Sequence, residues 1–284
     1  MRRRLIALVL PVVSIAVLAG CGGGGGTEAK AVSVQTVQLA AENTQAAEST
    51  QFTMTITVGS GTRRQAVKAS GVGSGDGRLG RVVIEGPDGT SIEELIVDDA
   101  IYMNLDGLPA ATEGIPDGKH WLRIGFDDLA DQLGLDLGEL RDQARSSTPT
   151  SGLEYLQGLS GDVTRVADDT INGEHATRYR ATLDYSLVAD KLDGLSAEAK
   201  GQLRKLGTVP ADVWIDDHDR VVKMHYTITG SAVGADSASR TAEVTTQITA
   251  FDVPVDVQAP PADDVIDITD LPGSEGASSG TIPA

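Results

Sequence analysis

From Phe52 the chain alternates: Phe52, Met54, Ile56 and Val58 are apolar, and Thr53, Thr55 and Thr57 between them are polar. Side chains along a strand point to opposite faces with a period of two, so this stretch reads as a strand with one dry face and one wet face. Similar strands are expected at 63–73, 79–86, 91–97, 100–104 and 119–124. The turns between them have local chemical causes. Pro87-Asp88-Gly89 pre-sets a tight turn, and Asp98-Asp99 suits another. Consecutive strands joined by such short turns form an antiparallel sheet. Strands resume at 162–168, and Asn172-Gly173 marks a two-residue hairpin leading into 174–184. Val213 and Ile215 run into a polar turn at 216–220, followed by strands at 221–229 and 240–251.

Helical signals fall before and between these strand runs. Residues 32–49 carry no Gly or Pro and read as a first helix. Leu129, Leu133, Leu137 and Leu140 recur at three- and four-residue spacing, interrupted by Gly134 and Gly138, and read as two short helices. Leu153 and Leu156 mark a third. A further helical stretch is expected at 186–206, with Ser196 as the N-cap of its second part and Gly207 as a terminator. Helices grouped between runs of antiparallel strands give an α+β class, with the helices covering one face of the sheet.

The single cysteine, Cys21, leaves the domain without an internal disulfide, so an apolar core must hold it. Hydrophobic residues make up 40% of the chain but aromatics only 4%, which makes that core mainly aliphatic. The formal net charge is −18. A domain this acidic repels nucleic acid and anionic lipid head groups, so nucleic-acid binding is not expected.

The chain opens with Arg2-Arg3-Arg4, an apolar run to Leu18, and then Ala19-Gly20-Cys21. The run is short for a membrane span and suits a signal peptide. Leu18-Ala19-Gly20-Cys21 resembles the lipobox of bacterial lipoproteins, which implies cleavage after Gly20 and a diacylglyceryl group on the Cys21 sulfur. Residues 1–20 are thus expected to be the leader, and 21–30, with Gly22 to Gly26, a flexible tether. A ligand-binding domain is expected over 31–260 and a disordered acidic and Gly/Ser tail over 261–284. The expected location is the outer face of the cell membrane, held by the N-terminal lipid.

Motifs that could carry chemistry have simpler readings. Gly75-Asp76-Gly77-Arg78-Leu79-Gly80 fits G-x-G-x-x-G but opens onto a strand, where a dinucleotide loop must open a helix. Asp216-Asp217-His218-Asp219 holds ligand-type side chains where a polar turn is required anyway. Asp168 to Gly173 begins like a calcium loop, but the twelfth position is Tyr179 rather than Glu. The four histidines lack zinc spacing, and no G-x-S-x-G elbow occurs. No enzyme activity, cofactor or metal is expected.

The last third carries a more specific pattern: Gly173-Glu174-His175-Ala176-Thr177-Arg178-Tyr179, then Pro210-Ala211-Asp212-Val213-Trp214-Ile215-Asp216, Arg220-Val221-Val222-Lys223-Met224 and Phe251-Asp252-Val253-Pro254-Val255-Asp256-Val257. It resembles the LppX/LprAFG-type lipoproteins of actinobacteria, relatives in fold of the LolA and LolB carriers. The resemblance implies a strongly curved antiparallel half-barrel with helices on its concave face. It further implies an apolar cavity that takes acyl chains of a lipid or glycolipid and carries them across the cell envelope; a monomer is expected. Leu129, Leu133, Leu137, Leu140, Leu153 and Leu156 are the candidate cavity or lid residues. A tethered sensor or protein-interaction module on the same fold, with a protein partner and no deep cavity, is the alternative.

Overall fold

The computed structural model describes residues 31–108, 115–128, 151–191, 197–229 and 240–271. Its centre is one curved, unclosed sheet of thirteen strands, all antiparallel except at one edge. The strands fall into two meanders. The first holds β2 (Ser49–Ser60), β3 (Arg63–Ser74), β4 (Leu79–Glu85), β5 (Ser91–Val97), β6 (Ala100–Asn104) and β7 (Trp121–Gly125). The second holds β8 (Leu159–Ile171), β9 (Glu174–Asp184), β10 (Thr208–Asp216), β11 (Val221–Thr229) and β12 (Thr241–Phe251). They join where β12 pairs with β2, from Thr241 opposite Gly59 to Phe251 opposite Thr50. Two short strands finish the edges. β1 (Ala31–Val32) lies on β8, and β13 (Val265–Asp267) lies parallel to β7. Both cover backbone groups that would otherwise be open to edge-on association.

The turns follow their residues. Asn172 and Gly173 both have positive φ, 55° and 85°, as a two-residue hairpin turn requires. The Asn172 amide also donates to the Ile248 carbonyl at 2.7 Å and accepts from Gln247 Nε2 at 2.6 Å, tying this turn to β12. The Gly75–Gly80 segment turns β3 into β4. The run from Asp216 to Arg220 is a turn organised by the buried Asp216 carboxylate, which accepts from the His218 and Arg220 backbone amides and from the Arg220 guanidinium.

The helices lie over the second meander. α1 (Val34–Gln45) starts at Ser33, whose hydroxyl accepts from the Gln35 amide. It buries Val37, Ala40, Ala41 and Thr44. Thr44 Oγ1 accepts from the Val221 amide at 2.8 Å, which fixes α1 to the start of β11. A 3-10 helix (Ser151–Gly158) and α2 (Tyr185–Lys191) complete the layer, with α3 (Ala197–Arg204) beyond them. Gln38 Nε2 and Lys191 Nζ both donate to the Gln157 carbonyl, at 3.0 and 2.6 Å, so one exposed carbonyl locks three elements. Within the stretch expected as helical at 186–206 the structure describes α2 and α3, and the strand entering Val213 begins at Thr208.

The domain boundary expected at 260 is corrected by the structure. After β12 the chain runs as an extended strap in which Val253, Val255 and Val257 are half-buried and Asp252, Pro254 and Asp256 are exposed. It begins beside Ser49, whose carbonyl accepts from the Asp252 amide at 2.9 Å. It ends in β13, where the Asp264 carbonyl accepts from the His120 amide and the Asp267 carboxylate takes the Arg123 guanidinium. The acidic composition of 261–271 reads as a tail, yet Ile266 is buried and the segment completes the sheet.

Candidate ligand-binding face

Residues directly opposite each other in an antiparallel pair share a face, so the register traces each face across the whole sheet. One row passes through Ala181, Ala211, Tyr226, Val244, Ile56 and Val67. The next holds Val213, Met224, Thr246, Met54, Ala69, Ile84 and Ile92. Ile248, Phe52, Gly71, Val82, Glu94, Met103 and Leu122 follow. The last has Gly73, Gly80, Ile96, Ile101 and Ile124. This is the face on which the helices lie, and it is mainly apolar from β9 to β7.

Its two halves differ in cover. Under α1, the 3-10 helix and α2 it is a filled core: Val37, Leu153, Leu156, Leu183, Val188 and Val213 are fully buried. Tyr155 meets Tyr185 edge-on with ring centroids 5.9 Å apart. Tyr185 and Tyr226 hydrogen-bond each other, and burial pushes both phenols above their ordinary range. Two of the expected cavity residues, Leu153 and Leu156, therefore sit in this packed cluster. Leu129, Leu133, Leu137 and Leu140 lie outside the described residues, as do Leu18, Ala19, Gly20 and Cys21.

On β3 to β7 the same face is only partly shielded. Val67, Val82, Ile84, Ile92, Ile96, Ile101, Met103, Leu122 and Ile124 are half-buried or exposed, and Val67 keeps 37% of its surface. Two features break its aliphatic texture. Gly71 is required because Phe52 lies across it; a Cβ there would meet the Arg81 carbonyl and come within 2.9 Å of the Phe52 ring. Glu94 is the one charged residue on this face from β4 to β7. Burial raises its pKa above the ordinary carboxylate value.

The opposite face carries paired charges, with the buried Leu95 among them opposite Arg81. Arg180 takes Asp212 bidentately at 2.8 and 3.0 Å, Arg81 takes Glu93 at 2.6 Å, and Arg64 pairs with Glu243. Trp214 is buried there between the Arg178 and Lys223 cations, and its indole N–H donates to Asp169 at 2.7 Å. Asp168, considered above as a calcium ligand, instead holds Arg165, Thr177 and His175. An open cleft of about 630 Å³ lies on this side, among Asp88, Thr90, Ser91, Glu93, Asn104 and Asp106. Its carboxylates and hydroxyls suit water rather than acyl chains. Among the described residues no group of three or more His, Cys, Asp or Glu is placed to hold a metal ion. No helix among them is long and apolar enough to cross a membrane.

No protein-family model matches the chain. A 31.2 kDa Streptomyces griseus protein encoded between rplA and rplJ is 34% identical over 176 residues, 60% of this chain and 51% of that protein. A Streptomyces coelicolor protein named as a candidate lipoprotein is 26% identical over 227 residues, 76% of this chain and 69% of that protein. The chain is similar to the mycobacterial lipoproteins LprF and LppX. The crystal structure of LprF from Mycobacterium bovis superposes with a TM-score of 0.46 and 17% identity, covering 80% of this chain and 96% of LprF. LppX from Mycobacterium tuberculosis gives 0.41 and 14%, covering 79% and 97%. This chain thus spans about half the length of the Streptomyces griseus relative and nearly all of the two mycobacterial structures.

Glu94 was the functional candidate that motif reading missed. Its signal was present: in Ile92-Glu93-Glu94-Leu95-Ile96 the second carboxylate is in phase with Ile92 and Ile96. Motif reading looks for clusters, and this feature is a single charge in an apolar phase.

Proposed function

We propose that this chain is a lipid-anchored protein of the extracytoplasmic membrane face that binds acyl chains against the β3–β7 part of its apolar face and carries them across the cell envelope. The role is binding rather than catalysis. One observation carries the reading: the aliphatic face does not stop where the helix-covered core stops, but continues onto strands where its side chains are only half-buried. A carrier needs such a surface, because each methylene exposed to water costs about 0.8 kcal/mol. The candidate-lipoprotein name of the Streptomyces coelicolor relative supports the anchor, with Cys21 as the modified residue.

The test is mass spectrometry of the organic extract of the full-length chain purified from an actinobacterial host. Acyl lipids in a fixed ratio to protein, absent from a mock purification, are the expected result. A lipid-free protein would overturn the carrier reading and favour the interaction module.

A further inference from the structure

We propose that Glu94 selects the head group on this face, admitting uncharged, hydroxyl-bearing lipids such as diacylglycerols and rejecting lipids with anionic head groups. The inference rests on the carrier reading above and adds to it the chemistry of the ligand's polar end.

Glu94 stands at the middle of β5. Its row neighbours are Val82 on one side and Met103 on the other, and its neighbours along the strand on the same face are Ile92 and Ile96. None of these can donate a hydrogen bond to it. Among the described residues it has no ion pair, whereas the adjacent Glu93, on the opposite face, takes Arg81 at 2.6 Å. Of the cations in this part of the sheet, Arg64, Arg78, Arg81 and Arg123 pair with Glu243, Asp98, Glu93, Asp128 and Asp267. A carboxylate left among aliphatic side chains loses hydration without a replacement partner. Selection against such a residue is expected unless something else completes it.

A bound lipid does so if its head carries hydroxyls. Acyl chains lying along the apolar rows bring the glycerol end to Glu94, whose oxygens accept from the O–H donors. A phosphate or fatty-acid carboxylate in that position faces a like charge in a partly desolvated site, which is strongly unfavourable. One row away the face carries no side chain at Gly73 and Gly80, where an added Cβ would sit at ordinary contact distance, 3.8 and 3.6 Å from its nearest neighbours.

The experiment uses full-length protein in phosphatidylcholine vesicles containing a diazirine-labelled diacylglycerol or a phosphatidic acid with identical labelled acyl chains. Cross-links to peptides of β4 to β7 are counted by mass spectrometry. The wild-type chain is expected to favour the diacylglycerol by about tenfold, the equivalent of one decade in affinity. Glu94→Gln and Glu94→Leu are each expected to bring the ratio to within about twofold; having two variants guards against one that fails to fold. If diacylglycerol cross-links to β4–β7 but both folded variants keep the wild-type ratio, head-group selection by Glu94 is wrong and the carrier reading survives. If neither lipid cross-links to these strands in the wild-type chain, both readings fall.

Discussion

The apolar face over β8–β11 and its continuation over β3–β7 have the same alternation, the same aliphatic composition and a continuous register, yet different surroundings. On the first, α1, the 3-10 helix and α2 leave Leu156, Leu183 and Val213 with no accessible surface. On the second, Val82, Ile84 and Ile96 retain part of theirs, and a carboxylate sits in the apolar phase. Strand pattern alone therefore does not separate a core from a binding surface. What separates them is what lies across the face. A filled core tolerates neither loss nor gain of a methylene, whereas a partly covered one tolerates both.

The largest expected effect tests that contrast directly. Leu156→Ala, in the filled half, is expected to cost about 2–5 kcal/mol through lost burial and a residual cavity. Ile84→Ala, half-buried on β4, is expected to cost less than half as much. Urea denaturation of both variants measures this, and equal losses would mean that the β3–β7 face is also a closed core.

A second pair sharpens the comparison within the exposed half. Gly71→Ala is expected to destabilise by about 1–3 kcal/mol, because the new methyl meets the Phe52 ring and the Arg81 carbonyl. Gly73→Ala, whose new methyl would sit at ordinary contact distance, 3.8 Å from the Leu79 carbonyl, is expected to be near neutral or slightly stabilising through a less flexible unfolded chain. Thermal melts that rank the two in the reverse order would contradict the close approach of Phe52 and the Arg81 carbonyl to Gly71.

A third prediction concerns the strap that closes the β7 edge. Burial raises the Asp267 pKa, but the Thr269 backbone and side-chain bonds and the Arg123 guanidinium outweigh it, so the net shift is downward. A depressed carboxyl contributes stability above its unfolded pKa and loses it as pH falls through the folded value. Hydrogen exchange of β13 is therefore expected to accelerate selectively below about pH 4, by the equivalent of about 1 kcal/mol, while β9 and β10 hold. Uniform loss of protection across the sheet would show that β13 is not an independent closure.

The smallest effect belongs to ligand-free Glu94. Its raised pKa means that the folded state binds the proton more tightly than the unfolded chain does, so the charged form weakens the fold at neutral pH. Glu94→Gln is expected to raise Tm by about 1–3 °C at pH 7. The gain should shrink as pH falls through the folded pKa and vanish below the ordinary carboxylate range. A gain that is independent of pH would assign it to something other than charge burial.

Much of this molecule is readable one residue at a time. Thr53, Thr55 and Thr57 between Phe52, Met54, Ile56 and Val58 define a strand with one dry face because side-chain direction along a strand is local geometry. Asn172-Gly173 defines a hairpin because positive φ is a local preference. The placement of β4, β5, β6 and β11, and of the Asp216 turn, follows for the same reason. The helix boundaries were less legible. Residues 32–49 carry no Gly or Pro, yet α1 spans only Val34–Gln45, and Ala31–Val32 and Ser49 belong to strands.

The sequence by itself determined local direction: which residues are strand, which positions turn, and which side chains share a phase. The tertiary structure alone decided the pairings between residues far apart in the chain. Among these are Val244 opposite Ile56, Ala31 opposite Thr164, and Ile266 beside Leu122. It also decided that Leu156 is dry and Ile84 is not, and that a segment reading as an acidic tail ends as a strand. The physical reason is that backbone preference is set within a few residues. Burial and strand partnership depend on which distant surface arrives to exclude water, and no local pattern encodes that.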